Sequence, residues 1–334
     1  MFTIYLFIDI IIAFIIDLIV GDPYWLPHPI RFIGWLVGKV ERFLRQFTNK
    51  CGIKAVARCE RIAGGILTLV VVAVTFLIVF ISLKGAAEVH PLLFHILNIY
   101  FIYSSLAARC LGNEAKKVYE VLVKGDLPEA RKRLSMLVGR QTKHLSSREV
   151  AKGVVETTAE NTVDGVISPL LFAIAGSFFG LGAPVTYAFK AISTLDSMVG
   201  YMNEKYVNFG RISAKTDDVA NFLPARLSGI LIPISAFLCR NNASKSFSIM
   251  IRDRHNHKSP NCAYPEAAFA GALGIELGGT NIYFGKAVEK PSIGDADREI
   301  NNEDIPKTVR LMYTASALTL IFGLGLAMTI LIFI

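Results

Sequence analysis

The sequence predicts an all-α fold, a polytopic helical bundle embedded in a membrane, and three observations support this. Hydrophobic residues make up 53% of the 334 residues, and only 19% are charged. The mean hydropathy of +0.47 is too high for an ordinary soluble domain. Apolar runs near the ~20 residues that a helix needs to cross a bilayer recur along the chain. Cytoplasmic amphipathic helices and loops are expected between the spans, and residues 1–334 are expected to form one domain.

Four apolar segments are predicted to cross the bilayer as single helices. They are residues 2–20, 64–83, 92–108 and 312–334. No Lys or Arg precedes Arg31 and no small-residue cleavage site follows the first run, so a cleaved signal peptide is not expected. Two more apolar segments, 166–189 and 219–238, are interrupted by Pro or Gly, and they either span the membrane or re-enter it.

Two basic polar stretches, 24–63 and 109–165, set the expected orientation. Two predicted spans lie between them, so both stretches fall on the same side of the membrane. Because Lys and Arg concentrate in cytoplasmic loops, we place both stretches in the cytoplasm and the N-terminus outside. The first stretch is predicted to contain an amphipathic helix at 30–47.

Further helices are predicted in the later polar stretches. Residues 111–123 and 127–138 have the pattern of two amphipathic helices, broken at Gly125. A small-residue helix is predicted at 267–277, ending before Gly278.

Several functional classes are excluded by what the sequence lacks. The net charge of +8 fits basic cytoplasmic loops, and without interleaved aromatic and basic residues no nucleic-acid partner is expected. Phosphate-binding, dinucleotide-binding and common hydrolase motifs are missing. The five cysteines are scattered without C-x-x-C, so we expect reduced packing residues, with neither a disulfide framework nor a zinc site.

An acidic stripe opens the region where chemistry is expected. If the segment is helical, Glu156, Glu160 and Asp164 share one face at i, i+4 and i+8. Asn161 lies beside them, and Lys152 can offset only one end. Repulsion between like charges calls for a basic partner or a divalent cation. The alternative interpretation is that the acidic stripe is only a solvent-exposed helix face without a functional role.

Two later segments add polar side chains to an apolar background. The run K-A-I-S-T-L-D begins at Lys190 and contains Asp196, and D-D-V-A-N-F-L-P-A-R runs from Asp217 to Arg226. An arginine inside an apolar segment is by default a functional hypothesis, because burying its charge in lipid is costly.

Five segments, in order along nearly the whole chain, together resemble one family. They are D-L-I-V-G-D-P-Y-W-L-P-H-P from Asp17, E-T-T-A-E-N-T-V-D-G from Glu156, K-A-I-S-T-L-D-S-M-V-G-Y from Lys190, S-P-N-x-x-x-P-E-A from Ser259 and E-K-P-S-I-G-D from Glu289. The chain resembles the cobalamin-biosynthesis family CobD/CbiB, adenosylcobinamide-phosphate synthase. It departs from the family at Ala263 and Tyr264, where the family usually has glycine and tryptophan.

The resemblance implies an enzyme of cobalamin biosynthesis in the cell membrane, with its active site on the cytoplasmic side. It would join adenosylcobyric acid to (R)-1-amino-2-propanol phosphate or ethanolamine phosphate, giving adenosylcobinamide phosphate. ATP as cosubstrate and Mg²⁺ are implied as well. The other expected partners are membrane lipids and either a second copy of the chain or other membrane enzymes of cobalamin assembly.

Roles for the site residues follow as hypotheses. The expected catalytic carboxylates are Glu156, Glu160, Asp164, Asp196, Asp217, Asp218 and Glu266, with Glu266 or Asp196 as the base. Of these, Glu160, Asp217 and Asp218 are the expected Mg²⁺ ligands. The expected substrate-binding residues are Asp22, His28, Asn161, Lys190, Asn221, Arg226, Ser259 and Asn261, with Lys190 and Arg226 on phosphate.

Three alternatives stay open. Asp22 and His28 could only cap and brace the exit from the first span, and His28 as an axial cobalt ligand is a weaker option. A transporter for a corrinoid or another anion would also use broken apolar segments, although no paired half-repeat is evident. A non-enzymatic membrane regulator is the third alternative.

Overall fold

The computed structural model describes residues 2–23, 25, 28–48, 51, 55–283 and 285–333. The helices are α1 (Phe2–Val20), α2 (Pro29–Thr48), α3 (Val56–Val89), α4 (Pro91–Ser105), α5 (Ala108–Val123), α6 (Leu127–Ser135), α7 (Ser147–Thr162), α8 (Ser168–Ser177), α9 (Gly182–Val199), α10 (Arg211–Ala220), α11 (Phe222–Leu238), α12 (Ala243–Asp253), α13 (Ala263–Leu273) and α14 (Asp304–Phe333). A π-helix, Val163–Ile167, follows α7 directly. Strands β1 (Leu277–Tyr283) and β2 (Lys286–Ile293) form an antiparallel pair.

Helices long and apolar enough to cross a membrane confirm the predicted polytopic all-α fold. The four candidate spans are Thr3–Val20, Val56–Val89, Pro91–Val123 and Asp304–Phe333. The consecutive helices α10 and α11 count as a fifth if they cross together. Residues 166–189 are interrupted, as expected, because α8 ends at Ser177 and α9 begins at Gly182.

The chain divides into two compact units whose segments alternate along the sequence. Unit 1 comprises Met1–Ala107, Ser168–Asn221 and Ala327–Ile334, and unit 2 comprises Ala108–Ile167 and Phe222–Leu326. The expectation of one domain over the whole chain stays a prediction.

In unit 1, α3 packs against α2, α4, α9 and α10. A Cβ on Gly64 would lie 1.7 Å from the carbonyl oxygen of Phe209, so glycine is needed where the chain comes this close to α3. The hydroxyls of Thr68 and Ser213 lie 2.9 Å apart and join α3 to α10. The predicted amphipathic helix at 30–47 is α2, which buries Val37 and exposes Trp35.

One expectation for unit 1 is wrong. Cys51 and Cys59 form a disulfide with a Cα–Cα distance of 6.8 Å, whereas all five cysteines were expected to be reduced. Two cysteines eight residues apart match no local motif, and only the fold brings them within bonding distance. Cys110, Cys239 and Cys262 lie outside this disulfide.

In unit 2, α13 is the central helix and packs against α7, α11, α12 and β2. Six of its eleven residues are Ala or Gly, and a Cβ on Gly271 would come within 2.5 Å of the Lys245 carbonyl oxygen on α12. The predicted bounds of this helix, 267–277, are wrong. It runs from Ala263 to Leu273 and ends at Gly274, which adopts the left-handed conformation (φ 65°).

The two amphipathic helices predicted near 111–123 and 127–138 are α5 and α6. Gly125, at φ 79°, and Asp126, whose side chain accepts from the Glu129 amide, form the turn between them. Helix α6 ends at Ser135, three residues before its predicted end.

Candidate functional site

Glu156 lies on α7 and is held by the loop after α6 and by strand β1, both in unit 2. Its Oε2 accepts a 2.7 Å hydrogen bond from Nη1 of Arg140, and its Oε1 accepts a 2.9 Å bond from the backbone amide of Gly278 on β1. Arg140 Nη1 also donates to Oδ1 of Asn281 on β1, at 2.6 Å. All three side chains are buried. Glu156 therefore fixes the hairpin against α7, and its oxygens are already engaged.

Sequence reasoning missed Arg140 and Asn281. The acidic stripe did indicate that a basic partner is needed, but helical spacing pointed to Lys152 and not to Arg140. Arg140 follows α6 in a loop, and no helical spacing relates it to Glu156. Only the tertiary fold brings the two side chains together.

The rest of the acidic stripe crosses a change of helix type. Helix α7 ends at Thr162, so Glu156 and Glu160 share an α-helical face, while Asp164 lies inside the π-helix. The i, i+4, i+8 spacing of an α-helix therefore does not apply as far as Asp164, although Asp164 and Glu160 both act on the charge of the Cys262 thiol. Such π-turns occur often at functional sites.

Glu160 approaches the S-P-N-x-x-x-P-E-A motif, which begins in the loop at Ser259 and continues into α13. The Cys262 thiol donates to Oε1 of Glu160 at 3.5 Å. Burial and the negative charges of Glu160, Glu266 and Asp164 raise the pKa of the Cys262 thiol. Asn161 is turned back on its own helix, because its Nδ2 donates to the backbone and hydroxyl oxygens of Thr157.

A chain of hydrogen bonds orders the loop before α13. Arg226, on α11, donates from Nη1 to Oδ1 of Asn261 at 3.2 Å, and its guanidinium lies over the Tyr264 ring at 4.8 Å. The backbone amide of Asn261 donates to the Ser259 hydroxyl, and the backbone amide of Ser259 donates to Nδ1 of His257. Arg226, Ser259 and Asn261, predicted to bind substrate, thus lie in one network. Tyr264, one of the two departures from the resembled family pattern, is the residue that stacks on Arg226.

Glu266 is the most deeply buried acid in this part of unit 2. Its exposure is 2%, and its Oε1 has no hydrogen-bond partner among the described residues. Burial raises its pKa to about 8; the carboxylates of Glu160 and Glu156 add to the rise, and the cations of Lys290 and Arg140 oppose it. Glu266 therefore carries a proton at neutral pH and titrates just above it.

A second polar group lies in unit 1. The Ser168 hydroxyl donates to Oδ1 of Asn221 at 2.7 Å, and Nδ2 of Asn221 donates to Oδ2 of Asp217 at 3.1 Å. Ser168 and Asn221 are buried, and Asp217 and Asp218 are half-buried. The amide of Asn221 thereby orients the Asp217 carboxylate.

The remaining predicted residues of unit 1 lie on other elements. Lys190 is buried and Asp196 half-buried, both on α9. His28 Nε2 lies 3.4 Å from Asp22, and His28 Nδ1 accepts from the Ile30 amide at the start of α2. This geometry fits the capping and bracing alternative for the pair.

In the described part of the chain, no group of three or more His, Cys, Asp or Glu side chains is arranged to hold a metal ion. Mg²⁺ that arrives with a nucleotide needs only one or two protein carboxylates, because phosphate and water oxygens complete its shell. Among the acids around Glu266, Glu160 is the carboxylate left for such a cation, because both oxygens of Glu156 are bonded and Glu266 carries a proton.

Comparison with known proteins gives a consistent result. A sequence model of the family described as CobD/Cbib protein matches residues 10–312. The chain is 48% identical over 314 residues to the cobalamin biosynthesis protein CobD of Clostridium acetobutylicum, covering 94% of this chain and 96% of that protein. It is also 48% identical over 309 residues to the cobalamin biosynthesis protein CbiB of Salmonella typhimurium, covering 92% and 93%. No solved structure matches the chain.

Proposed function

The chain belongs to the CobD/CbiB family, and from that premise we propose that it acts in cobalamin biosynthesis as an adenosylcobinamide-phosphate synthase. The observation that carries the proposal is the family match over residues 10–312, since relatives that share 48% of their residues bear the name cobalamin biosynthesis protein. The substrates would be adenosylcobyric acid and either (R)-1-amino-2-propanol phosphate or ethanolamine phosphate. The proposed location is the cell membrane, with the site facing the cytoplasm.

The reaction requires an activated carboxylate, because an ionised carboxylate does not release oxide to an amine. In the first step, a carboxylate oxygen of the corrinoid attacks the γ-phosphorus of ATP and ADP leaves, which forms an acyl phosphate. In the second step, the substrate ammonium gives one proton to the base, the amine nitrogen attacks the acyl carbon, and inorganic phosphate leaves as HPO₄²⁻ with a second proton from that nitrogen. Positioning and charge neutralisation supply most of the catalysis in such phosphoryl transfers.

Glu266 is the base that the geometry of unit 2 favours. A base works best when its pKa lies near the operating pH, and burial places the pKa of Glu266 at about 8. Its unpartnered buried oxygen is available to accept a proton from the substrate ammonium. Asp196 stays the alternative base in unit 1.

The other roles are assigned to residues that the structure has already oriented. Arg226 uses one of its nitrogens on Asn261 and Phe222, and its remaining N–H groups would bind phosphate. Glu160 in unit 2, or Asp217 and Asp218 in unit 1, would hold Mg²⁺. When bound, that ion would neutralise the negative charge of the nucleotide phosphates.

The experiment is a ligation assay with oxygen-18 in the corrinoid carboxylate. Purified protein in detergent is mixed with labelled adenosylcobyric acid, Mg-ATP and each aminoalcohol phosphate separately. The proposal expects an amide product by mass spectrometry and one labelled oxygen in the inorganic phosphate. An amide without label in phosphate would exclude the acyl phosphate route. Uptake of unchanged corrinoid into vesicles, with no amide formed, would instead support the transporter alternative.

A further inference from the structure

A basic groove lies in unit 2 between α5 and the first turns of α14. Its volume is about 210 Å³. Its polar wall is formed by Arg109, Asn113 and Lys116 on α5, and its apolar floor includes Pro306 and Val309 on α14. None of these residues belongs to the network around Glu156 and Glu266.

The charge of the groove is not neutralised by neighbouring acids. Arg109 is exposed and has no hydrogen-bond or ion-pair partner among the described residues, and Arg310 beside the groove has no side-chain partner there either. Lys116 lies 3.7 Å from Glu120, but both side chains are mostly exposed, so that pair is worth little.

The other acids near the groove are engaged elsewhere. Glu303 accepts a 2.7 Å hydrogen bond from the Tyr119 hydroxyl, which orients the Tyr119 ring along the groove. Asp304 pairs with Arg298 and Lys307. The groove therefore presents an anion with positive charges, while the nearby carboxylates are already bonded to other groups.

Close packing of the two helices gives the groove its shape. A Cβ on Gly112 would lie 2.2 Å from the Tyr313 hydroxyl oxygen, so glycine lets the ring of Tyr313 rest against the backbone of α5. Asn113 and Arg109 stand one turn apart on the same side of α5 and leave an open channel above that ring.

The groove also lies at the polar end of two apolar runs. Arg109 directly follows the apolar residues 92–108, and Arg310 directly precedes the last apolar run, which starts near Met312. Two tyrosines, Tyr119 and Tyr313, line the groove between these positions. Arginine, lysine and tyrosine at the ends of membrane helices lie at the level of the lipid head groups.

We propose that this groove binds the phosphate head group of an anionic phospholipid. Arg109 and Lys116 supply the charge, Asn113 supplies hydrogen bonds, and the apolar floor lies beneath the glycerol end of the lipid. The proposal does not depend on the reaction proposed above. A small soluble phosphate could satisfy the same cations, so the test separates the two sources.

Native mass spectrometry of the full chain in detergent provides the measurement. Phosphatidylglycerol, phosphatidylcholine and inorganic phosphate are each titrated onto the protein. The variants are Arg109→Ala with Lys116→Ala, which removes the charge, and Asn113→Trp, which fills the channel and keeps the charge. The control is Lys124→Ala with Lys132→Ala, which removes two exposed cations of unit 2 outside the groove.

The proposal expects phosphatidylglycerol to bind more tightly than phosphatidylcholine. Loss of two cations near a membrane surface should weaken phosphatidylglycerol binding by roughly tenfold or more. Asn113→Trp should weaken it as well, and the control pair should leave it within about twofold. Equal loss in the control, no effect of Asn113→Trp, or binding of inorganic phosphate in preference to the lipid would each overturn the proposal.

Discussion

Nη1 of Arg140 lies 2.7 Å from Oε2 of Glu156, and both side chains are buried. This pair joins the loop after α6 to α7 and, through Asn281 and the Gly278 amide, to β1. A buried carboxylate that lost its cation would be left uncompensated in a low-dielectric interior. The ion pair therefore holds the hairpin beside the candidate site.

Replacing Arg140 with alanine should destabilise the protein by about 3–5 kcal/mol, the usual cost of leaving a buried charge unpaired. The measurement is thermal unfolding of purified protein in detergent. Arg148→Ala is the matched control, because Arg148 pairs with Glu299 where both are exposed, and such pairs are worth about 0–1 kcal/mol. Equal losses in the two variants would show that burial of the Arg140 pair has no energetic consequence.

The oriented carboxylates should matter for activity more than for folding. Glu160→Gln in unit 2 and Asp217→Asn in unit 1 should each lower the rate of amide formation by at least about tenfold, since each removes a charge proposed to act on Mg²⁺ or on the substrate ammonium. The assay is product formation by folded protein under saturating substrates.

Matched controls exist in each unit. Glu299→Gln and Glu204→Gln make the same acid-to-amide change at exposed positions and should leave the rate within about twofold. Full activity in both Glu160→Gln and Asp217→Asn would exclude the acidic residues from the proposed chemistry.

Alanine substitutions at Gly278 and Gly285 in the hairpin distinguish the energetic cost of a positive φ from the cost of a steric clash. Both have positive φ, 84° and 79°, but a Cβ on Gly278 would lie 2.2 Å from the Pro291 carbonyl oxygen, and one on Gly285 would meet no described atom within 4 Å. Gly285→Ala should cost about 1–2 kcal/mol from the backbone conformation alone. Gly278→Ala should cost more, because the clash adds and the bond to Glu156 is disturbed. Equal unfolding temperatures for the two variants would contradict this.

The sequence was sufficient for the helical membrane fold because apolar runs and amphipathic periods are local signals. Helices α2 and α5 lie close to where those signals placed them, whereas α14 begins eight residues before its predicted start. Failures occurred where a local signal was absent or misleading. The α13 end was missed because the helix is capped at Gly274, four residues before Gly278, and the π-helix at Asp164 has no pattern that a helical period can show.

For the candidate site, motif resemblance located the acidic and amide residues, but not how they are held. Glu156 was predicted as catalytic, and the structure shows both of its oxygens bonded to Arg140 and Gly278. The Arg226–Asn261 hydrogen bond joins positions 35 residues apart, and no spacing rule predicts such a contact. Pairings of this kind depend on tertiary packing, which a single sequence does not display.

The Cys51–Cys59 disulfide and the basic loop that contains it give opposite indications about membrane side. A disulfide persists in an oxidising compartment, whereas Lys- and Arg-rich loops are retained in the cytoplasm. If the loop is cytoplasmic, both thiols should be reduced in living cells and should pair only after purification in air. Alkylation of cells with a thiol-reactive polymer, followed by a gel shift, measures this.

Removing the other three cysteines makes that shift specific to Cys51 and Cys59. A variant with Cys110, Cys239 and Cys262 changed to Ser should shift by two labels if the loop faces the cytoplasm. Absence of any shift until a reductant is added would place the loop outside and reverse the predicted orientation.

Glu266 should make stability depend on pH. Its pKa in the folded protein, about 8, lies above the ordinary value of 4.5, so the folded state keeps a proton that the unfolded state loses. Its contribution to stability is therefore fully present below pH 4.5 and is lost as pH rises to about 8. Unfolding followed between pH 5 and 9 should show the wild type losing stability relative to Glu266→Gln, which cannot ionise.

The same titration should appear in catalysis if Glu266 is the base. Because only the ionised form accepts a proton, kcat should rise with pH and level off above about 8. Glu266→Gln should lose this rise together with most of the activity, and Glu276→Gln, at a half-buried acid near β1, is the control. Lys290 and Arg140 oppose the rise in the pKa, so Lys290→Met should move the midpoint of the kcat profile to higher pH. A midpoint that stays in place in Lys290→Met, or a pH profile that survives in Glu266→Gln, would assign the titration to another group.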